Sequence, residues 1–363
     1  MKINLFKINW TLKDIEAISD IIKRGMYYSG GKEIEELEKS ISDYVKIRYV
    51  TTWNSGTSAL HAMLLAHGIK EGDEVIVPSF TFIATANSVL MTRAKPIFAD
   101  IEDKTYALDI ESVKEKITPK TKAIMPIHYG GHPALYTREL RELVDDHNLF
   151  LFEDAAQAFG ANIEGKCVGR FGNCGMFSMC QDKILTTGEG GILVTEDKEI
   201  HRKLKLIRSH GRDENMEYVT LGYNYRMPTI LATLGLSQMK RVHNNIGKRR
   251  LLSQEYVGRL RKIKEVKYQN VLSTFFNVYQ KFPIEVAEED RDVLKWYLER
   301  NEIGTKADFY PIHLTPFYKN LGYEDNLPET ERISKRILDL PIYPDLRVHE
   351  IHMVCDKIRE FYE

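Results

Sequence analysis

Residues 176–191 read MFSMCQDKILTTGEGG, which sets one lysine, Lys183, between a short apolar run and a glycine-rich turn. Met176, Phe177, Met179 and Cys180 are apolar, and a run this short reads as a buried strand over 176–180. A lysine leaving such a strand sheds part of its hydration. That disfavours the ammonium form and makes the amine a usable nucleophile. Gly188, Gly190 and Gly191 allow a turn with close backbone approach. A Schiff-base lysine suits that position. So does an ordinary loop lysine, and only the rest of the chain separates the two.

Working outward, short apolar runs alternate with helical periodicity. Strands are expected at 49–53, 74–78, 96–100, 123–128, 149–153, 176–180 and 192–195, with helices at 59–66, 84–92 and 135–146 between them. Such alternation implies an α/β layer with a largely parallel sheet, and ligands of such sheets bind beyond the carboxyl ends of the strands. Two helices, 12–24 and 32–45, precede the layer, and one long helix from Met227 through Lys248 follows it. Beyond that lie a strand-like stretch at 275–286, a helix at 290–300 and a proline-rich segment. The division expected is a large domain over 1–245 and a small C-terminal domain over 246–363.

The 51 Lys and Arg nearly cancel the 52 Asp and Glu, so there is no electrostatic footprint for nucleic acid or an anionic membrane. No run of 18 apolar residues exists, and the N-terminal stretch has charges scattered where a signal peptide has an apolar core. A cytosolic protein is expected. The four cysteines, Cys167, Cys174, Cys180 and Cys355, match neither a disulfide framework nor an iron–sulfur spacing. They read as reduced, partly buried thiols.

Three further stretches sit at strand ends, and a fourth, GYNYRM, lies before the long helix. Ser55-Gly56-Thr57-Ser58 lies where a strand turns into a helix, and its N–H groups and hydroxyls suit a phosphate, or simply a helix cap. Phe82, in PSFTF, is placed to stack on a heterocycle, or to enter the core. In LFLFEDAAQAFG an apolar strand runs into Glu153 and Asp154, with Gln157 three residues beyond Asp154. A carboxylate there needs a partner such as a protonated ring nitrogen, unless it caps a helix. Ser178 adds a hydroxyl beside the phosphate position, and Asn224 and Arg226 in GYNYRM offer an amide and a guanidinium.

A phosphate cradle, a stacking ring, a ring-nitrogen carboxylate and a lysine, in this order, resemble the DegT/DnrJ/StrS family of sugar aminotransferases within the fold-type I enzymes of pyridoxal phosphate (PLP). The resemblance runs nearly end to end, through NSGTSALHAMLLA, GDEVIVPSFTFIATANSV, FEDAAQAFGA, FSMCQDKILTTGEGG, YNYRMPTILATLGLSQM, YPIHLTPFY and LDLPIYPDL. It implies a large domain with a mainly parallel seven-stranded sheet and a small C-terminal α+β domain. It implies that Lys183 tethers the cofactor, Asp154 pairs with the pyridinium nitrogen and Gln157 holds the phenolic oxygen. Phe82 would stack on the ring, and Gly56, Thr57 and Ser178 would hold the phosphate. Asn224 would reach the phosphate of a neighbouring subunit, so that a homodimer shares its sites.

The reaction implied moves an amino group from glutamate or glutamine, through pyridoxamine phosphate, to a ketone. The TTGEGG turn resembles enzymes aminating C4 of 4-keto-6-deoxy nucleotide sugars, and the FSM-x-Q-x-K run resembles cyclitol (inosose) aminotransferases. A deoxysugar dehydratase would carry histidine in place of Lys183, and a non-catalytic regulatory relative is the remaining class. Where many relatives read FSFH-x-x-K and YPIPLHLQ, this chain has Met179-Cys180-Gln181-Asp182 and Tyr310-Pro311-Ile312-His313-Leu314-Thr315. Both departures fall near the expected acceptor, for which Arg226, Tyr310, His313 and the 27–31 loop are candidate contacts.

Overall fold

The computed structural model describes residues 2–363. Two amphipathic helices, α1 (Leu12–Arg24) and α2 (Glu33–Val45), open the chain and pack on a later helix through their apolar stripes. The central layer then runs β1 (Tyr49–Trp53), α3 (Gly56–Ala66), β2 (Glu74–Pro78), α4 (Ala84–Met91), β3 (Lys95–Ala99), α5 (Ile110–Lys116), β4 (Thr121–Ile124), α6 (Thr137–His147) and β5 (Phe150–Asp154). A hairpin, β6 (Asn162–Ile163) and β7 (Lys166–Cys167), precedes β8 (Cys174–Ser178), β9 (Gly191–Thr195) and α7 (Lys198–Arg208).

Seven strands form one sheet in the order β1-β9-β8-β5-β4-β2-β3. All neighbours pair in parallel except β9, which is antiparallel to both β1 and β8. The sheet is covered on both faces, which is why Val75-Ile76-Val77 and Phe150-Leu151-Phe152 are continuous apolar runs rather than alternating ones. The register decides where the chemistry falls. Gly191 sits opposite Trp53 on one side and Ser178 on the other, while Asp154 lies level with Met176. The turns leaving β1, β5 and β8 therefore open at one edge.

Two sequence expectations are corrected. The lysine strand ends at Ser178 rather than residue 180, because Cys180 leaves the ladder and bridges to Gly188 across the turn. The long helix is two helices, α8 (Thr229–Met239) and α9 (Val242–Leu260). Arg241 leaves helical geometry at φ −124°, and its guanidinium donates to Asn9 and Asp14. That break depends on partners more than two hundred residues away in sequence, so local periodicity runs straight through it.

The C-terminal third contributes β10 (Lys267–Tyr268), β11 (Phe275–Phe276), β12 (Phe282–Glu285), α10 (Glu288–Arg300), α11 (Pro316–Asn320), α12 (Pro328–Arg336), β13 (Ile337–Leu340) and α13 (Val348–Tyr362). Strands β10, β12 and β13 form an antiparallel sheet. Its core is built from α9, α10 and α13 and also takes in Ile3, which bonds through its backbone to Glu302 and Gly304. The β11 segment instead pairs with β6.

Candidate active site

A cavity of about 640 Å³ opens where the turns after β1, β2, β5 and β8 face the small C-terminal sheet. At one end, Ser55 caps α3: its Oγ accepts the Ser58 N–H at 3.1 Å, and its carbonyl accepts the Ala59 N–H. The N–H groups of Gly56 and Thr57 have no partner within the helix and stand at its positive end. Ser178 Oγ accepts the Cys180 N–H at 3.2 Å, leaving its own hydrogen free to donate. A Cβ at position 56 would come within 3.4 Å of Ser178 Oγ, so the glycine keeps the gap between these groups open.

Across the floor lies Asp154, buried at the end of β5. Its Oδ2 accepts from Thr85 Oγ1 at 2.8 Å and its Oδ1 from the Ala156 N–H at 3.1 Å. Burial pushes its pKa above the ordinary carboxylate value, and these two hydrogen bonds offset only part of the rise. Its neighbour Glu153 points the other way. It accepts from the backbone of Gly169, Phe171 and Gly172 and from His128 Nε2 at 3.1 Å. Of the two acids at this strand end, Asp154 faces the cavity and Glu153 braces the loop behind it.

Lys183 enters from the opposite side, with Nζ 3.2 Å from Asp182 Oδ2. Gln157 Oε1 accepts the Gly130 N–H at 2.6 Å, which turns the amide nitrogen of its side chain into the available donor. Phe82 stands at the rim, 62% exposed, while Phe80 two residues earlier is in the core. Gly56, Thr57, Phe82, Asp154, Gln157, Ser178 and Lys183 thus all line one cavity.

The other candidates lie elsewhere. Asn224 is exposed, and its backbone pairs with Ser209. Arg226 donates to Ser209 Oγ at 3.2 Å, and Tyr310 is exposed. His313, proposed as an acceptor contact, is 1% exposed and bonded to Ser79 Oγ at 2.7 Å and to Glu331. It pins the turn after β2 to α12, and it does not line the cavity. The 27–31 loop is tied to the start of α8, with the Gly31 N–H donating to Thr229 Oγ1.

Several lining residues carried no sequence signal. His128 accepts the Ala134 N–H on Nδ1 at 2.9 Å, which places its ring proton on Nε2, toward Glu153. Thr85, in the first turn of α4, bonds to Thr81 just before that helix at 2.9 Å as well as to Asp154. Gln280, Lys281 and Asp339 reach the cavity from the C-terminal sheet, and nothing local in the sequence marks them.

The model of the DegT/DnrJ/EryC1/StrS aminotransferase family matches residues 10–359. A GDP-perosamine synthase of Escherichia coli O157:H7 is 35% identical over 362 residues, covering 99% of this chain and 98% of that protein. The structure of S. venezuelae DesV in complex with a ketimine intermediate superposes with a TM-score of 0.94 at 32% identity, covering 100% of this chain and 99% of the other. Bacillus subtilis NtdA with bound cofactor PMP superposes at 0.89 with 28% identity, covering 96% and 82%.

Family members of this kind depend on PLP, and the donor set here fits that group. Helix N–H groups and a hydroxyl suit a phosphate. The buried Asp154 makes no ion pair among the described residues, and a protonated ring nitrogen would satisfy it.

Proposed function

This chain belongs to the DegT/DnrJ/EryC1/StrS aminotransferase family, and from that membership we propose that it moves an amino group from glutamate or glutamine to a keto group of a nucleotide-linked sugar, a 4-keto-6-deoxy sugar first among them. It is a PLP-dependent sugar aminotransferase in any case. The single observation supporting the assignment of roles is the meeting of Lys183, Asp154 and the open start of α3 around one cavity. The GDP-perosamine synthase similarity supports a nucleotide-linked acceptor.

When bound, PLP supplies an electrophilic carbon and a conjugated ring that takes up the electron pair left when an amino acid loses its Cα proton. Asp154 holds a proton on the ring nitrogen and so keeps the ring electron-poor. Lys183 would tether the group through Nζ and, as a free amine, would serve as the general base that takes the donor's Cα proton and the general acid that delivers it to the cofactor carbon on the far side of the transferred nitrogen. Gly56 and Thr57 N–H groups and the Ser178 hydroxyl bind the phosphate, while the Gln157 amide holds the phenolic oxygen. Phe82 covers one face of the ring.

A homodimer is part of this reading. Asn224 is exposed and does not line its own cavity, which leaves it available to a neighbour's phosphate. The segment before it exposes Tyr218 and Leu221, large side chains that a second copy would cover.

The test is spectroscopic. Purified enzyme should absorb in the near-visible, and glutamate should bleach that band. Keto nucleotide sugars and inososes are then supplied separately to the bleached form. Recovery with the sugar and not the inosose supports the proposal; the reverse assigns a cyclitol enzyme. Borohydride should fix the cofactor to Lys183, and normal turnover by Lys183→Ala would remove that lysine from its role.

A further inference from the structure

The part of the cavity wall that comes from the C-terminal third contains buried polar groups that the cofactor chemistry leaves unused. Lys281 bonds to both Asp308 and Asp339 and lies 4.5 Å from the centre of the Phe309 ring. Asp308 spends its Oδ2 on the Tyr129 hydroxyl at 2.6 Å and on Lys281. Lys306 completes the group at 3.9 Å from Asp308. Lys281 is thereby committed to two acids rather than left free for a phosphate or a donor carboxylate.

This wall is short of donors instead. Asp339, 3% exposed, uses Oδ2 on Lys281, but its Oδ1 has no hydrogen-bond partner. Gln280, 6% exposed, donates its amide to the Asp182 carbonyl, and its Oε1 likewise has none. Both residues line the cavity. A buried acceptor left unpaired costs about 1–3 kcal/mol, a cost removed when a ligand donates to it.

The segment is also held rigidly. The buried Arg249 guanidinium donates to the carbonyls of Tyr279 and Ile342, clamping the chain before β12 to the chain after β13.

We propose that Gln280 and Asp339 accept hydrogen bonds from hydroxyl groups of the acceptor ring, and that this wall selects a polyhydroxylated ring over its deoxy analogues. The inference rests on the aminotransferase reading and specifies its acceptor. Lys281 fixes the Asp339 carboxylate and is a positioning residue. Two orphan acceptors match two O–H donors of a sugar or cyclitol and match nothing on a methyl or methylene group. Sites built to bond a hydroxyl reject the analogue lacking it far more strongly than apolar pockets reject a size change.

The experiment measures binding by calorimetry to the cofactor-loaded enzyme. The probes are an unreactive GDP-hexose, its single-deoxy analogues, inositol and a deoxyinositol. Wild type should lose on the order of a hundredfold in affinity for at least one deoxy analogue, and the series that shows the loss identifies a sugar or a cyclitol as the source of the hydroxyl. Asp339→Leu should bind parent and deoxy ligands alike. Lys281 keeps Asp308 in that variant, and the surplus positive charge falls on Lys306, whose side chain is 57% exposed to water. Asp339→Asn, which retains an acceptor oxygen and the shape, should restore part of the discrimination.

Glutamate should still bleach the near-visible band in both variants, which shows that they are folded and loaded with cofactor. Equal wild-type affinity for every deoxy analogue, or undiminished discrimination in Asp339→Leu, overturns the proposal. Absence of glutamate bleaching in wild type would instead overturn the aminotransferase reading, a separate result.

Discussion

Thr85 Oγ1 donates to Asp154 Oδ2 at 2.8 Å, and among the described residues no other side chain bonds to that carboxylate. Asp154→Asn should reduce transamination by roughly a hundredfold or more, since it removes the charge that holds the ring proton. The fold should survive, because the Thr85 hydroxyl can turn to accept from the amide while donating to Thr81. Steady-state rates alongside a thermal melt check both halves. A variant with full activity would remove Asp154 from the chemistry.

Phe80 and Phe82 make an internal control. Phe80 is fully buried and Phe82 is 62% exposed. Phe80→Ala should cost about 3–5 kcal/mol of stability. Phe82→Ala should leave unfolding nearly unchanged yet weaken PLP binding by about 1 kcal/mol, roughly fivefold. Urea unfolding and cofactor titration separate the two effects.

Gly191 has no room for a side chain, since a Cβ there would lie 2.3 Å from the Ser55 carbonyl oxygen and 3.0 Å from Ala59 Cβ. Gly191→Ala has to push α3 away from β9. The expected cost is about 1–3 kcal/mol in stability, together with weaker phosphate retention as the helix start moves. Unfolding of the cofactor-free protein and titration with inorganic phosphate read these separately.

Asp339 should give the protein an unusual pH response. Burial and the facing Asp308 raise its pKa from 3.8 to about 7. A carboxyl raised on folding binds its proton more tightly in the folded chain, so this group adds stability as pH falls from about 7 toward 4 and costs stability above 7. The Tm of Asp339→Asn relative to wild type should therefore rise between pH 5 and pH 8. A difference independent of pH would contradict the shift.

The parts legible in the sequence were those written in consecutive residues. Asp154 announced itself as an acid ending an apolar strand, and Ser55–Ser58 as polar residues opening a helix, because strand and cap signals act over a few positions. Distance in the chain hid the rest. The place of β9 between β8 and β1 depends on a partner more than a hundred residues earlier. The pairing of β11 with β6 joins two-residue segments that carry no periodicity of their own. His313 looked like a ligand contact because its neighbours were familiar, whereas its Ser79 bond is a packing device. Gln280 and Asp339 are ordinary polar residues until β12 and β13 bring them to one edge.

Lys183, Asp154 and the start of α3 issue from the seven-stranded sheet, while Asp339 belongs to the separate three-stranded one and Gln280 and Lys281 lie just before its strand β12. The two parts touch at few points, the Gln280 amide on the Asp182 carbonyl and the Lys281 N–H on the Gly130 carbonyl among them. If Asp339 selects the acceptor as proposed, a substitution on the smaller sheet would retune which ketone is accepted while the anchoring of the vitamin stays with the larger one. One scaffold can in this way serve many amino sugars.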